Sequence, residues 1–160
     1  MKKAIVIYYS YSGRTKQAAE YLKTKITRQF QTNMIELKPL DESKFFLKQC
    51  VRAFRKIPAN LNPDLPFDLK DYDLIALGTP VWAFGMAPAL RAYIDKCTGL
   101  IGKKVILFAT YGSGVGKDKC VQEMVEIVKD KGADEVRSFL VQQSDVKNAS
   151  VMETNTKGLF

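Results

Sequence analysis

The chain contains no histidine. Without an imidazole, Ser-His-Asp and Cys-His catalysis are excluded, along with most transition-metal sites. Its three cysteines, Cys50, Cys97 and Cys120, lie far apart with no CxxC pair. That rules out a disulfide framework and the usual zinc spacings. No apolar run approaches the roughly 20 residues that a membrane-spanning helix needs. The apolar stretch after Met1-Lys2-Lys3 ends at Tyr9 and has no small-residue cleavage site, so no signal peptide is expected and the chain is read as cytoplasmic. Reactive atoms for any chemistry are expected to come from something other than these side chains.

What is present is ordinary for one globular domain. The 160 residues are 46% hydrophobic and 26% charged, and a single domain over 1–160 is expected. Basic residues number 25 against 17 acidic, a net charge of +8, which favours anionic partners. No recognised nucleic-acid-binding motif accompanies that charge, so nucleic acid is not expected as a partner.

Short apolar runs alternate with amphipathic stretches. Ala4 to Tyr9, Asp73 to Gly78 and Val105 to Ala109 are continuous β-branched, aliphatic or aromatic runs, the pattern of strands buried on both faces. Met34 to Leu37 and Glu135 to Val141 add two more strands. Helical spacing runs from Arg14 to Phe30, from Pro88 through Cys97, and from Lys117 to Lys131, where Gly132 stops it. Asp41 is placed to cap a further helix over Glu42 to Lys56 with Leu47, Val51 and Phe54 inward. Strand–helix alternation predicts an α/β, doubly wound, five-stranded parallel sheet. The tail, 144–160, shows no clear apolar stripe and is expected to be poorly structured or a short helix.

In a parallel sheet the carboxyl ends of the strands share one edge, where ligands bind. Three segments leaving that edge have one chemical character: Ser10-Tyr11-Ser12-Gly13-Arg14-Thr15, Gly78 to Gly85, and Thr110 to Gly116. The first sets hydroxyls and a glycine ahead of a helix, where free N–H groups and the positive helix end hold phosphate. On spacing alone each has a second reading: a helix cap, a core plug at Trp82, a flexible turn around Tyr111. No GxGxxG follows the first strand. Gly116-Lys117 matches a Walker loop only in part, since Tyr111 and Asp118 stand where glycine and Ser/Thr are required. A phosphate loop beside two aromatic, glycine-bearing loops fits a mononucleotide with a planar ring.

These segments resemble the flavodoxin-like family. Ser10 to Thr15 is similar to its phosphate loop, Gly78-Thr79-Pro80-Val81-Trp82 with Pro88 and Ile94-Asp95 to its second flavin loop and helix, and Thr110 to Gly114 to its third. The resemblance covers roughly residues 3–142, with strand order 2-1-3-4-5 and FMN as cofactor implied. It assigns the phosphate to Ser10, Ser12, Gly13, Arg14 and Thr15, and counts Tyr11 and Thr79 among the cofactor contacts. The isoalloxazine would be lined by Pro80, Val81, Trp82, Ala83, Thr110, Tyr111, Gly112 and Ser113. No catalytic side chain and no metal ligand is expected. The implied role is an electron carrier between redox partner proteins; the alternative is an NAD(P)H-dependent FMN or quinone reductase. Lys44, Lys48, Arg52 and Arg55 fall on one side of the second helix, read as a solvated helix face or as a basic dock for an acidic redox partner. A weak tail is expected to leave an apolar face for a homodimer.

Overall fold

The computed structural model describes residues 1–160. Its elements are β1 (Lys3–Tyr8), α1 (Arg14–Ile26), β2 (Gln31–Glu36), α2 (Phe46–Phe54), β3 (Leu74–Trp82), β4 (Gly85–Met86), α3 (Pro88–Lys96), β5 (Lys104–Tyr111), α4 (Lys117–Asp130), β6 (Glu135–Gln142) and α5 (Ala149–Thr156). The main sheet runs β2-β1-β3-β5-β6, every neighbouring pair parallel, and β4 turns back antiparallel on β3. With β4 left uncounted, this is the expected 2-1-3-4-5 path.

The strand pleat divides the core. Ala4, Val6 and Tyr8 of β1 point to the layer that holds Ala18 and Leu22 of α1 and Met152 of α5. Ile5 and Ile7 point to the opposite layer, with Leu90 and Ile94 of α3 and Met124 and Val128 of α4. Helices therefore cover both faces, which is why β1, β3 and β5 read as unbroken apolar runs. Gly78 has to be glycine for the same reason: an added Cβ would sit 2.1 Å from the Phe108 ring.

Three expectations are corrected. The helix expected over 42–56 spans only Phe46–Phe54, and Asp41 does not cap it; its carboxylate accepts from Arg52 Nη2 at 2.9 Å and from the Asn60 N–H at 2.9 Å. That helix turns Gln49 and Ala53 inward, while Leu47, Val51 and Phe54 face out. The tail forms the short helix that was one of its two expected states, capped by Asn148, whose side chain accepts from the Ser150 and Val151 N–H groups. Val146, Met152 and Leu159 are buried beside α1 and β6, so the apolar face expected to lie open there is covered. Tyr21 and Lys25 of α1 both bond Glu153, fastening α5 from outside. Finally, Trp82 ends a strand instead of riding a loop. It pairs with Gly85 across a two-residue hairpin whose central residues, Ala83 and Phe84, have φ of 45° and 68°.

Candidate functional site

At the carboxyl edge of the sheet the chain leaves β1 for α1 through residues 9–13. Gly13 adopts a left-handed conformation, φ 87°, immediately before the first helical turn. The consequence is a run of donors without acceptors: the backbone N–H groups of Ser10, Tyr11, Ser12, Gly13, Arg14 and Thr15 donate to no protein group. The Ser10 hydroxyl accepts from the Lys16 N–H at 3.2 Å and so serves as a partial cap. Ser12 is exposed. The first turn of α1 carries no acidic residue, so nothing opposes an anion at the positive helix end. Space over Gly13 is open, with no atom within 4 Å of an added Cβ.

Two hydrogen bonds in the floor set the loops relative to one another. Thr15 Oγ1 and Thr110 Oγ1 lie 2.8 Å apart, both fully buried. Thr79 is also buried; its hydroxyl accepts from the Ala87 N–H at 2.9 Å and donates to the Pro80 carbonyl. Thr15, Thr79 and Thr110 thus spend their hydroxyls on the scaffold. Of the residues expected to contact cofactor, Thr79 and Thr110 lie beneath the surface. Ser10, Gly13 and Arg14 lie on the turn whose N–H groups have no protein acceptor.

The others meet at two adjoining hollows. One, of about 200 Å³, is lined by Tyr11, Ser12, Thr15, Pro80 and Trp82. The second, of about 440 Å³, is lined by Val81, Trp82, Ala83, Tyr111, Gly112 and Ser113. Trp82, Phe46 and Gln143 border both. The indole is 5% exposed and is met edge-on by three rings: Tyr9 at 5.5 Å, Tyr11 at 5.7 Å and Phe46 at 5.3 Å between centroids. Its packing role is therefore established by contacts, and its near-complete burial leaves little of the indole open to a ligand. Tyr111 carries the Lys117 ammonium 5.2 Å from its ring centroid, a cation–π pair at the mouth.

The walls are held from behind. Tyr9 donates its hydroxyl to Glu42, and burial with that bond raises its phenol above the ordinary value. Arg91, 6% exposed, grips Glu123 through both terminal nitrogens at 2.8 and 3.1 Å, and Lys56 reaches the same carboxylate at 3.1 Å. Burial raises the Glu123 pKa, but the hydrogen bonds from Arg91 and Lys56 outweigh it and the net shift is downward. Phe84 lies over Gly116, where a Cβ would come within 2.5 Å of the ring. That contact joins the second loop to the third.

Phe46, Cys50, Phe84 and Gln143 line the hollows and were not expected there. Gln143 was within reach of sequence reasoning, because it directly follows the last parallel strand and so must emerge on the same edge. Phe46 and Cys50 carry no such signal.

An open doubly wound sheet with an anion loop at the first strand–helix turn and an aromatic-lined hollow beside it defines a mononucleotide-binding protein of flavodoxin-like fold. Solved structures agree on the fold. A flavoprotein from Lactobacillus acidophilus NCFM, solved with FMN, is 24% identical with TM-score 0.67, the match covering 94% of this chain and 99% of that one. An NADH:FMN oxidoreductase in its apo form is 18% identical with TM-score 0.67, covering 99% and 88%. The flavodoxin of Megasphaera elsdenii is 17% identical with TM-score 0.64, covering 98% and 97%. The model of the NADPH-dependent FMN reductase family matches residues 3–143, and this chain belongs to that family. FMN is the cofactor that membership assigns, and the unpaired N–H run, the open space over Gly13 and the aromatic hollow fit it.

Proposed function

We propose that this protein binds FMN without a covalent link and uses it to oxidise NAD(P)H, delivering the electrons to an acceptor. The observation that carries the reading is the run of unpaired N–H groups from Ser10 to Thr15 beside an aromatic hollow. Six N–H groups gathered on one turn at the positive end of a helix, with no protein acceptor, make a surface suited to an anion such as phosphate. In this assignment residues 10–15 hold the phosphate, and Gly112 and Ser113 with Pro80 to Ala83 border the ring. Thr15, Thr79 and Thr110 fix the spacing between those groups.

When bound, FMN supplies the redox chemistry by accepting two electrons and passing them on. The chain's part is to orient the ring between the second and third loops, with Trp82 packed in the wall, and to leave the outer part of the larger hollow, by Tyr111 and Gly114, for a second planar ligand. Membership in the NADPH-dependent FMN reductase family supports a nicotinamide donor. A carrier that only shuttles electrons between proteins is the second reading. It is favoured by the shortness of the three loops, none of which forms a lid over the hollow.

Anaerobic stopped-flow of the FMN-loaded protein with NADPH and NADH separates the two. Rapid loss of the oxidised flavin colour supports the reductase. No reaction with either nucleotide overturns it and leaves the carrier.

A further inference from the structure

Helix α2 is inverted relative to an ordinary surface helix. Gln49, 3% exposed, faces the sheet and donates from its side chain to the Ser43 carbonyl at 3.1 Å. Leu47, Val51 and Phe54, spaced i, i+4, i+7, form an outward stripe, with Leu47 75% and Phe54 67% exposed. Phe45 at the helix start adds an exposed ring. Lys48 and Arg55 border the stripe by helical spacing, Lys44 precedes it, and none of the three forms an ion pair. The two nearby carboxylates are already engaged: Asp41 by Arg52, and Glu42 by Tyr9. The expected four-residue basic dock is thus reduced to three free cations, because Arg52 turns back to Asp41 and to the Pro58 carbonyl.

An outward stripe of exposed apolar side chains marks an interaction surface, and the charges beside it select which. A second copy related by a two-fold axis would bring this cationic face against the same cationic face. Protein interfaces are depleted in lysine, whereas two of the three free cations on this face are lysines. Aromatic and aliphatic side chains flanked by lysines match the boundary of an anionic bilayer, where apolar groups enter and ammonium groups meet lipid phosphates.

We propose that α2 lays the protein on an anionic lipid surface, with Leu47, Val51 and Phe54 entering the headgroup boundary and Lys44, Lys48 and Arg55 binding phosphate. The same helix lines the larger hollow through Phe46 and Cys50, so docking would set the rim of the site at the membrane edge. This stands whether or not the site holds FMN.

Cosedimentation with vesicles tests it. The chain should bind mixed phosphatidylcholine–phosphatidylglycerol vesicles, bind phosphatidylcholine alone far more weakly, and release as salt is raised. Leu47→Ser with Phe54→Ser should lower partitioning about tenfold or more, and Lys48→Glu with Arg55→Glu should abolish it. Because all four side chains are exposed, thermal melts should match the parent and separate lost docking from lost folding. No binding to the mixed vesicles at low salt overturns the proposal. So does equal binding by the Leu47→Ser, Phe54→Ser variant, which would mean adsorption by charge alone. Apolar-stripe-dependent binding to soluble polyglutamate with vesicles left unbound would transfer the surface to an acidic protein and also overturn it.

Discussion

Thr15 and Thr110, 95 residues apart in sequence, share one buried hydrogen bond of 2.8 Å between their hydroxyls. It fastens the first turn of α1 to the end of β5, and with them the anion loop to the third loop. Replacing one threonine by valine strands the other hydroxyl in the core, at a cost of about 1–3 kcal/mol. Replacing both removes the unpaired group. Thr15→Val and Thr110→Val should therefore each lower urea-unfolding stability, and the double variant should lose clearly less than their sum. Additive losses would mean that the two hydroxyls are not partners.

Ala83 and Phe84 form a two-residue hairpin in which both have positive φ, a conformation that suits Asn-Gly and strains other residues. Strain of this kind gathers at ligand walls, and Ala83 lines the larger hollow. Ala83→Gly should raise stability by about 1 kcal/mol, measured by thermal or denaturant unfolding. A destabilised variant would show that the left-handed conformation costs nothing here.

The Arg91–Glu123–Lys56 group links α3, α4 and the segment after α2. Removing Arg91 leaves a largely buried carboxylate with one exposed partner, so Arg91→Ala should cost about 3 kcal/mol. Glu123 has a pKa held below its unfolded value by Arg91 and Lys56 against the opposing effect of burial. Its contribution is therefore present above the ordinary carboxylate range and lost as the pH falls through it. Glu123→Gln should lose less stability than the parent on acidification, seen as a shallower fall of Tm with pH. Identical slopes would remove the ion pair from the account.

Trp82 touches three rings and is almost wholly buried. Trp82→Ala should destabilise by about 3–5 kcal/mol and also weaken FMN binding, because Trp82 borders both hollows. A stability loss with unchanged flavin affinity would make it a packing residue alone.

The meeting of the three loops was legible because each follows a strand buried on both faces, and parallel pairing forces such ends to one edge. The hairpin at Ala83-Phe84 was not, since neither residue is a turn former. Nor was the orientation of α2: the spacing of Leu47, Val51 and Phe54 announces a stripe but is silent on what covers it. Burial was the ordinary guess, and Gln49 with its bond to Ser43 took the inner position instead. The tail misled for the opposite reason. Val146, Met152 and Leu159 reach the core from an eight-residue helix and its flanks, so no helical period links them.

The central claim is that residues 10–15 grip the phosphate of FMN. Titrating flavin-free protein with FMN, and separately with riboflavin, by quenching of flavin fluorescence tests it most directly. One FMN per chain should bind with Kd of about 1 μM or tighter, riboflavin should bind far more weakly, and Gly13→Val should erase most of that difference by distorting the loop. Equal affinity for FMN and riboflavin, or no binding of either, would contradict it.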